Sequence, residues 1–237
     1  MPVGRSTPPT PPGAAKLSEL LWDRRFSLIG MNNWEYNAKD LGYTFTQRPT
    51  GIGIGCPAQA NFWMLTWARL MGFNPENNPK EWYWWANKNR FRFGIARNYS
   101  NANAIMRWQI KTTWEPPGSH EVGNLASVGV GIIAKNLALY GESYGTSRSE
   151  VDLGVSLSLG RVARIRIVHD FLNGVEWWVD GVKRGEETDW SKIPQTQTAN
   201  TIAMLSLETG ITATAIEGWL IPPFGIMQDL DTESLPF

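Results

Sequence analysis

The segment Arg161 to Gly181, RVARIRIVHDFLNGVEWWVDG, limits the fold more than any other part of the chain. Its two halves alternate apolar and polar residues around Asn173-Gly174, the pattern of a β-hairpin with one buried face. A two-residue Asn-Gly turn would mix polar and apolar side chains on both faces. A three-residue loop, Leu172-Asn173-Gly174, with Gly174 in the left-handed bulge position, separates them. Ile165, Ile167, His169, Phe171, Val175, Trp177 and Val179 then line the core, while Arg164, Arg166, Val168, Glu176, Trp178 and Asp180 line the other face. In that register Arg166 stands opposite Asp180. A slip of one residue would turn every side chain to the wrong face, so burial selects the three-residue loop.

The same period recurs along the chain. In Arg90 to Ile95, Phe91, Phe93 and Ile95 share one face and the arginines take the other; in Val151 to Leu159 every second residue is apolar. Further strands are expected over Ala104–Lys111, Val128–Ile133, Thr201–Leu207 and Ala213–Ile221. Asn61–Gly72 (NFWMLTWARLMG) mixes helix formers with aromatics between glycines and is read as a buried strand. Ser18–Arg25 can form one helical turn, with Leu17, Leu20, Leu21 and Trp22 on one side. Many short strands, little helix and no internal repeat predict an all-β protein: one antiparallel β-sandwich of the jelly-roll type.

The chain has 237 residues, enough to bury ~70% of its unfolded surface without a metal or disulfide staple. Residues 1–15 form a proline-rich extended arm, 16–228 the sandwich and 229–237 a C-terminal tail. The 22 basic and 22 acidic residues cancel, which argues against a basic nucleic-acid groove. Cys56 is the single cysteine, so an internal disulfide and a cysteine-rich zinc site are both excluded, and Cys56 itself reads as a small buried residue. No apolar run reaches the ~18 residues of a membrane-spanning helix. The opening MPVGRSTPPTPPGAA lacks the apolar core of a signal peptide, so the expectation is synthesis in the cytoplasm, with a virion surface as one destination.

Val175-Glu176-Trp177-Trp178-Val179-Asp180-Gly181-Val182, after a charged-apolar strand and a tight turn, resembles the hairpin of concanavalin A-like lectin/glucanase domains, including laminin G-like modules. Leu205-Ser206-Leu207-Glu208-Thr209 followed by Ala213–Ile221 is similar to the closing strands of that family. Arg25-Phe26-Ser27 to Trp34, then Gly51-Ile52-Gly53-Ile54-Gly55, is similar to its opening strands. The resemblance spans about residues 20–226. It implies two curved antiparallel sheets and a role in binding glycans, in cleaving polysaccharides or in adhesion; the fold alone does not choose among these.

Retaining glucanases of this superfamily carry E-x-D-x-E on one strand face, and Glu150-Val151-Asp152-Leu153-Gly154 matches its first two carboxylates only. Gly154 stands where the resemblance requires the acid/base, so the two-carboxylate mechanism lacks its proton donor. Lyases on the fold use a Tyr/His pair with Arg or Gln neighbours; His169 reads as a core histidine and His120 as part of an exposed turn. Related domains often hold calcium near the rim, but neither Asn74, Glu76 and Asn77 nor Asp229, Asp231 and Glu233 forms a defined loop for it. No catalytic residue, metal or cofactor is assigned.

Glycans are bound by aromatic faces flanked by Asn, Asp, Arg and Gln. Trp82-Tyr83-Trp84-Trp85 with Asn87, Asn89 and Arg90 supplies these types together, and Trp178 with Arg164 and Arg166 supplies a second set. Trp84, Trp178, Arg164 and Arg166 are therefore the expected contacts, with Asn89 and Tyr99 at the rim. Many of the 13 tryptophans are expected to fill the core. The sequence reading is a non-catalytic, lectin-like binding or adhesion module. Its partners are a glycan or the protein subunits of a viral or other large assembly, a homo-oligomer included, without nucleic acid or membrane insertion. The alternative is a polysaccharide hydrolase or lyase.

Overall fold

A computed structural model describes residues 35–48, 50–70, 88–112, 128–170, 172–195 and 201–229. The proline-rich arm, the Ser18–Arg25 turn, Trp84 and His120 lie outside the described residues. Strands dominate in chain order: β1 (Glu35–Ala38), β2 (Thr44–Arg48), β3 (Gly51–Cys56), β4 (Trp63–Leu70), β5 (Lys88–Arg97), β6 (Ile105–Thr112) and β7 (Gly129–Lys135). They continue as β8 (Ala138–Tyr144), β9 (Arg148–Ser156), β10 (Ala163–Asp170), β11 (Gly174–Val179), β12 (Val182–Glu187), β13 (Thr201–Glu208) and β14 (Ile216–Asp229). A short 3-10 turn, Trp190–Lys192, is N-capped by Asp189, whose side chain accepts from Ser191 N.

Two seven-stranded antiparallel sheets form, in the orders β1-β4-β13-β6-β7-β8-β9 and β12-β11-β10-β5-β14-β3-β2. The expected β-sandwich is thus the observed fold, and the ambiguous segment after Asn61 is strand β4. Period-two alternation explains which faces meet. Phe91, Phe93, Ile95, Ile165, Ile167, Val175 and Val179 of the second sheet pack against Met106, Trp108, Ile110, Val130, Ile132, Ala203 and Leu205 of the first. Phe93 stacks on Trp108 with ring centroids 3.7 Å apart. Trp177 crosses the interior, fully buried, and its Nε1 donates to Gly131 O at 2.9 Å. A Cβ on Gly141 would stand 2.3 Å from the Trp177 ring, so this strand must carry glycine where the indole rests.

The β10–β11 hairpin keeps the expected faces but not the expected pairing. Ile165, Ile167, His169, Val175, Trp177 and Val179 are buried. The last pair, however, is Asp170 with Gly174, two residues away from the predicted register, and Arg166 stands opposite Trp178 rather than Asp180. The cause is Asp170. Its Oδ1 accepts from Leu172 N (3.0 Å) and Asn173 N (3.2 Å), and its Oδ2 from Asn173 Nδ2 (3.0 Å), an Asx turn that closes the loop earlier. Because the slip is two residues, every side chain keeps its face. Phe171 lies outside the described residues. In β14 the register shifts between Ile221 and Gly225, a stretch containing Pro222 and Pro223, which cannot donate to the ladder.

Candidate functional site

The outer face of the first sheet, turned away from the second, carries a dense polar patch over β6–β9. Cross-strand registry builds it in rows. Gln109 faces Gly131, Gly131 faces Glu142, and Glu142 faces Glu150; one row on, Lys111 faces Gly129, Gly129 faces Tyr144, and Tyr144 faces Arg148. The two glycines place no side chain in the middle of the patch, so groups from β6 reach those from β8. Gln109 Nε2 donates to Glu142 Oε2 at 2.7 Å and to the Tyr144 hydroxyl at 3.3 Å.

Glu142 is fully buried and serves as an acceptor throughout, from Gln109, from the Tyr144 hydroxyl and from Arg148 Nη2 at 2.7 Å. Arg148 also pairs with Glu150, and Glu150 with Lys135, so one cation bridges two carboxylates on neighbouring strands. Lys111 is 9% exposed. Burial pushes its ammonium down to about 8, against the opposing pull of Glu142. The same burial, with Glu142 beside it, raises the Tyr144 hydroxyl well above its ordinary value. Four buried polar atoms here, Gln109 Oε1, Ser206 Oγ, Arg107 Nε and Arg148 Nε, find no hydrogen-bond partner among the described residues. Toward β4 and β13 the face turns apolar, with Leu65, Trp67, Ile202 and Met204 buried together.

The glucanase-like motif falls on β9, the last strand of the sheet. Glu150 is held by Lys135 and Arg148, and Asp152 Oδ1 accepts from Gly154 N at 2.8 Å. The ladder shifts register between Leu139 and Tyr140, opposite Asp152–Val155, and Gly154 takes a φ of +61°. Gly154 is exposed like Glu150 and Asp152, with Leu153 turned into the core between them, so the third position of the motif is present but carries no side chain and supplies no carboxylate.

The sequence-selected contacts are scattered. On the outer face of the second sheet the Arg166 guanidinium lies 3.9 Å above the centre of the Trp178 ring, and Trp178 Nε1 donates to Glu176 Oε2 at 3.0 Å. One face of the indole is thus already covered by a cation. Arg164 is exposed on the same face, where Asp180 accepts from its backbone N–H at 2.9 Å and from Arg161 Nη2 at 2.9 Å. Asn89 and Tyr99 are not at a rim. Asn89 is fully buried, on the same strand face as Phe91, with Nδ2 donating to His169 Nδ1 at 3.0 Å. Tyr99 is buried under the Arg97 guanidinium, 5.4 Å from its ring centre.

His169 is the expected core histidine. Its Nε2 donates to Pro194 O at 2.9 Å and its Nδ1 accepts from Asn89, so both hydrogen bonds fit one neutral tautomer. Burial pushes its pKa down to about 4. Cys56 is likewise buried, and burial raises its thiol to about 12. Among the described residues no three His, Cys, Asp or Glu side chains gather as metal ligands, and no helix is long and apolar enough to cross a membrane. Sequence reasoning passed over Gln109, Lys111, Glu142 and Tyr144. Their signal was polar residues alternating with apolar ones in β6, beside the Gly129-Val130-Gly131 of β7.

No protein-family model and no curated protein matches the sequence. Solved structures do match its fold. The Emp47p carbohydrate recognition domain superposes with a TM-score of 0.57 at 11% identity, covering 84% of this chain and 90% of that one. An endo-beta-1,4-glucuronan lyase from the fungus Trichoderma reesei gives 0.54 at 13% identity, covering 84% and 92%. The Crh5 transglycosylase gives 0.53 at 11% identity, covering 84% and 80%. The chain shares a concanavalin A-like jelly-roll fold with these proteins. That fold houses both carbohydrate recognition domains and enzymes.

Proposed function

We propose that this protein is a non-catalytic, glycan-binding module that takes its ligand on the polar half of the first sheet's outer face. The carrying observation is the convergence of Gln109, Glu142, Tyr144 and Arg148 around two side-chain-free glycines, with Gln109 Oε1 and Arg148 Nε unmatched among the described residues. An unmatched buried polar atom costs ~1–3 kcal/mol, and sugar hydroxyls, each both donor and acceptor, are suited to recover it. Arg148, Glu150, Lys135 and Tyr140 form the partly exposed layer that a ligand meets first. The carbohydrate recognition domain among the fold neighbours supports the same reading. The test is a glycan array on the intact protein and on Glu150→Gln and Lys135→Ala. Glycans bound by the parent and lost from both variants are expected; binding indifferent to both substitutions, or none, removes the reading.

A second reading is favoured by one observation. Lys111, whose ammonium burial lowers to about 8, shares a cross-strand row with Tyr144 and Arg148 and a strand face with Gln109, a set able to support β-elimination from a polyuronide. A base would take the proton next to the uronate carboxylate, arginine would hold that carboxylate, and the glycosidic oxygen would leave. The glucuronan lyase among the fold neighbours supports this alternative. Incubation with glucuronan, following ultraviolet absorbance of the unsaturated product, separates the two. Absorbance that grows with the parent and not with Lys111→Met makes the protein a lyase.

A further inference from the structure

At the opposite edge of the first sheet the sandwich core runs out to its open flank. β1 is the edge strand there, and β2 is the edge strand of the second sheet. Tyr36 of β1, paired across from Thr66, turns toward β2 and stacks on Phe45, with ring centroids 5.3 Å apart and 23° between planes. Tyr43 tilts against it at 5.5 Å. Tyr36, Ala38, Asp40, Leu41 and Tyr43 line a hollow of about 280 Å³. Tyr36 is 48% exposed and Leu41 83% exposed. Asp40 uses Oδ1 to accept from Leu41 N at 2.7 Å, and its other oxygen has no partner among the described residues.

From these features we infer a second ligand site, a subsite for one pyranose ring between the edges of the two sheets. One face of Tyr36 is fixed by Phe45, so the ring needs no ordering before a ligand stacks on its other face. The apolar C–H face of a pyranose suits Tyr36 and Leu41, while the free Asp40 oxygen accepts from its hydroxyls. The hollow lies near the lower end of the ~300–1,000 Å³ range of ligand pockets, which suits a single ring and not a folded partner. An uncharged sugar fits better than a uronate, because Asp40 would repel a carboxylate.

This site is independent of the polar patch, which lies on the β6–β9 half of the first sheet, beyond β4 and β13. Its failure therefore leaves the main functional reading standing, and the reverse. The test is saturation-transfer NMR of the full chain with the methyl pyranosides of glucose, mannose, galactose and N-acetylglucosamine. At least one should bind. Tyr36→Ala should weaken that binding about tenfold while Tyr36→Phe retains it. Asp40→Asn should weaken it without changing the melting temperature, and Glu150→Gln should leave it unaltered. The inference is overturned if no pyranoside binds, if Tyr36→Ala binds as the parent does, or if Glu150→Gln alone abolishes binding. Should Tyr36→Ala prove unstable, Asp40→Asn decides the matter by the same criterion.

Discussion

Gln109 and Glu142 hydrogen-bond at 2.7 Å although a whole strand separates them. The intervening β7 offers Gly131 between them, so the two side chains close over bare backbone. A Cβ on Gly131 would stand 2.5 Å from Trp108 O and 3.0 Å from Gln109 Cγ. Gly131→Ala is therefore expected to push Gln109 off Glu142, shift β7 against β6 and destabilise the protein by ~1–3 kcal/mol. Urea unfolding measures the loss, and glycan binding should fall with it. Parent-like stability and binding would show that the glycine is incidental.

Adjacent tryptophans on β11 should behave very differently. Trp177 is fully buried, rests on Gly141 and donates to Gly131 O. Trp178 lies on the outer face beneath Arg166. Trp177→Ala should cost ~3–5 kcal/mol. For Trp178→Ala a loss of about 1 kcal/mol is expected, the size of a cation–π contact on a sheet surface. Denaturant midpoints for the two variants check this; equal losses would contradict the face assignment.

His169 ties pH to stability. Its folded pKa is depressed to about 4, below the ordinary value of 6.5, so the unfolded chain binds a proton between those values that the folded one excludes. Stability from this residue is complete above about pH 6.5 and declines as pH falls toward 4. The slope approaches ~1.4 kcal/mol per pH unit at its steepest. Unfolding free energies from pH 7 to 4.5 should show this slope in the parent and a shallower one in His169→Gln. Absolute losses in the variant, which forfeits the bonds to Pro194 and Asn89, are irrelevant to that comparison. Equal slopes would place the linkage elsewhere.

Period-two alternation made the strands legible, because burial on one face is written directly into residue type. It also contained the correction to one candidate: Asn89 shares its parity with Phe91, Phe93 and Ile95, so the rule that buried those three buries Asn89 as well. The hairpin pairing escaped because alternation fixes a register only modulo two. The choice between registers lay with the Asp170 side chain, whose Asx turn competes with the Asn173-Gly174 signal. The polar patch was hidden for a different reason. Arg148 follows Glu142 by six residues, but Gln109 lies 33 residues before Glu142, and only the order β6-β7-β8 brings it there. The alternate glycines Gly129 and Gly131 at the start of β7 were the local trace of that meeting.

Lys111 offers a test of the patch that does not depend on knowing the ligand. Burial lowers its folded pKa to about 8 from an ordinary 10.5, so between those values the unfolded chain holds more protons and stability rises with pH. Near pH 7 the ammonium is charged in both states, and its burial cost is fully present. Lys111→Met should then be more stable than the parent by ~1–3 kcal/mol at pH 7, because a buried ion gives way to an apolar chain of similar length. The advantage should shrink as pH climbs from 8 toward 10. Cys56, Tyr99 and Tyr144, whose folded pKa values are raised, lower the stability of both proteins in alkali, so only the difference between parent and variant is informative. Paired urea titrations at pH 7, 8.5 and 9.5 supply it. A variant less stable than the parent at pH 7 would mean that Glu142 more than offsets the burial of Lys111, and that the cation is an integral part of the patch's framework.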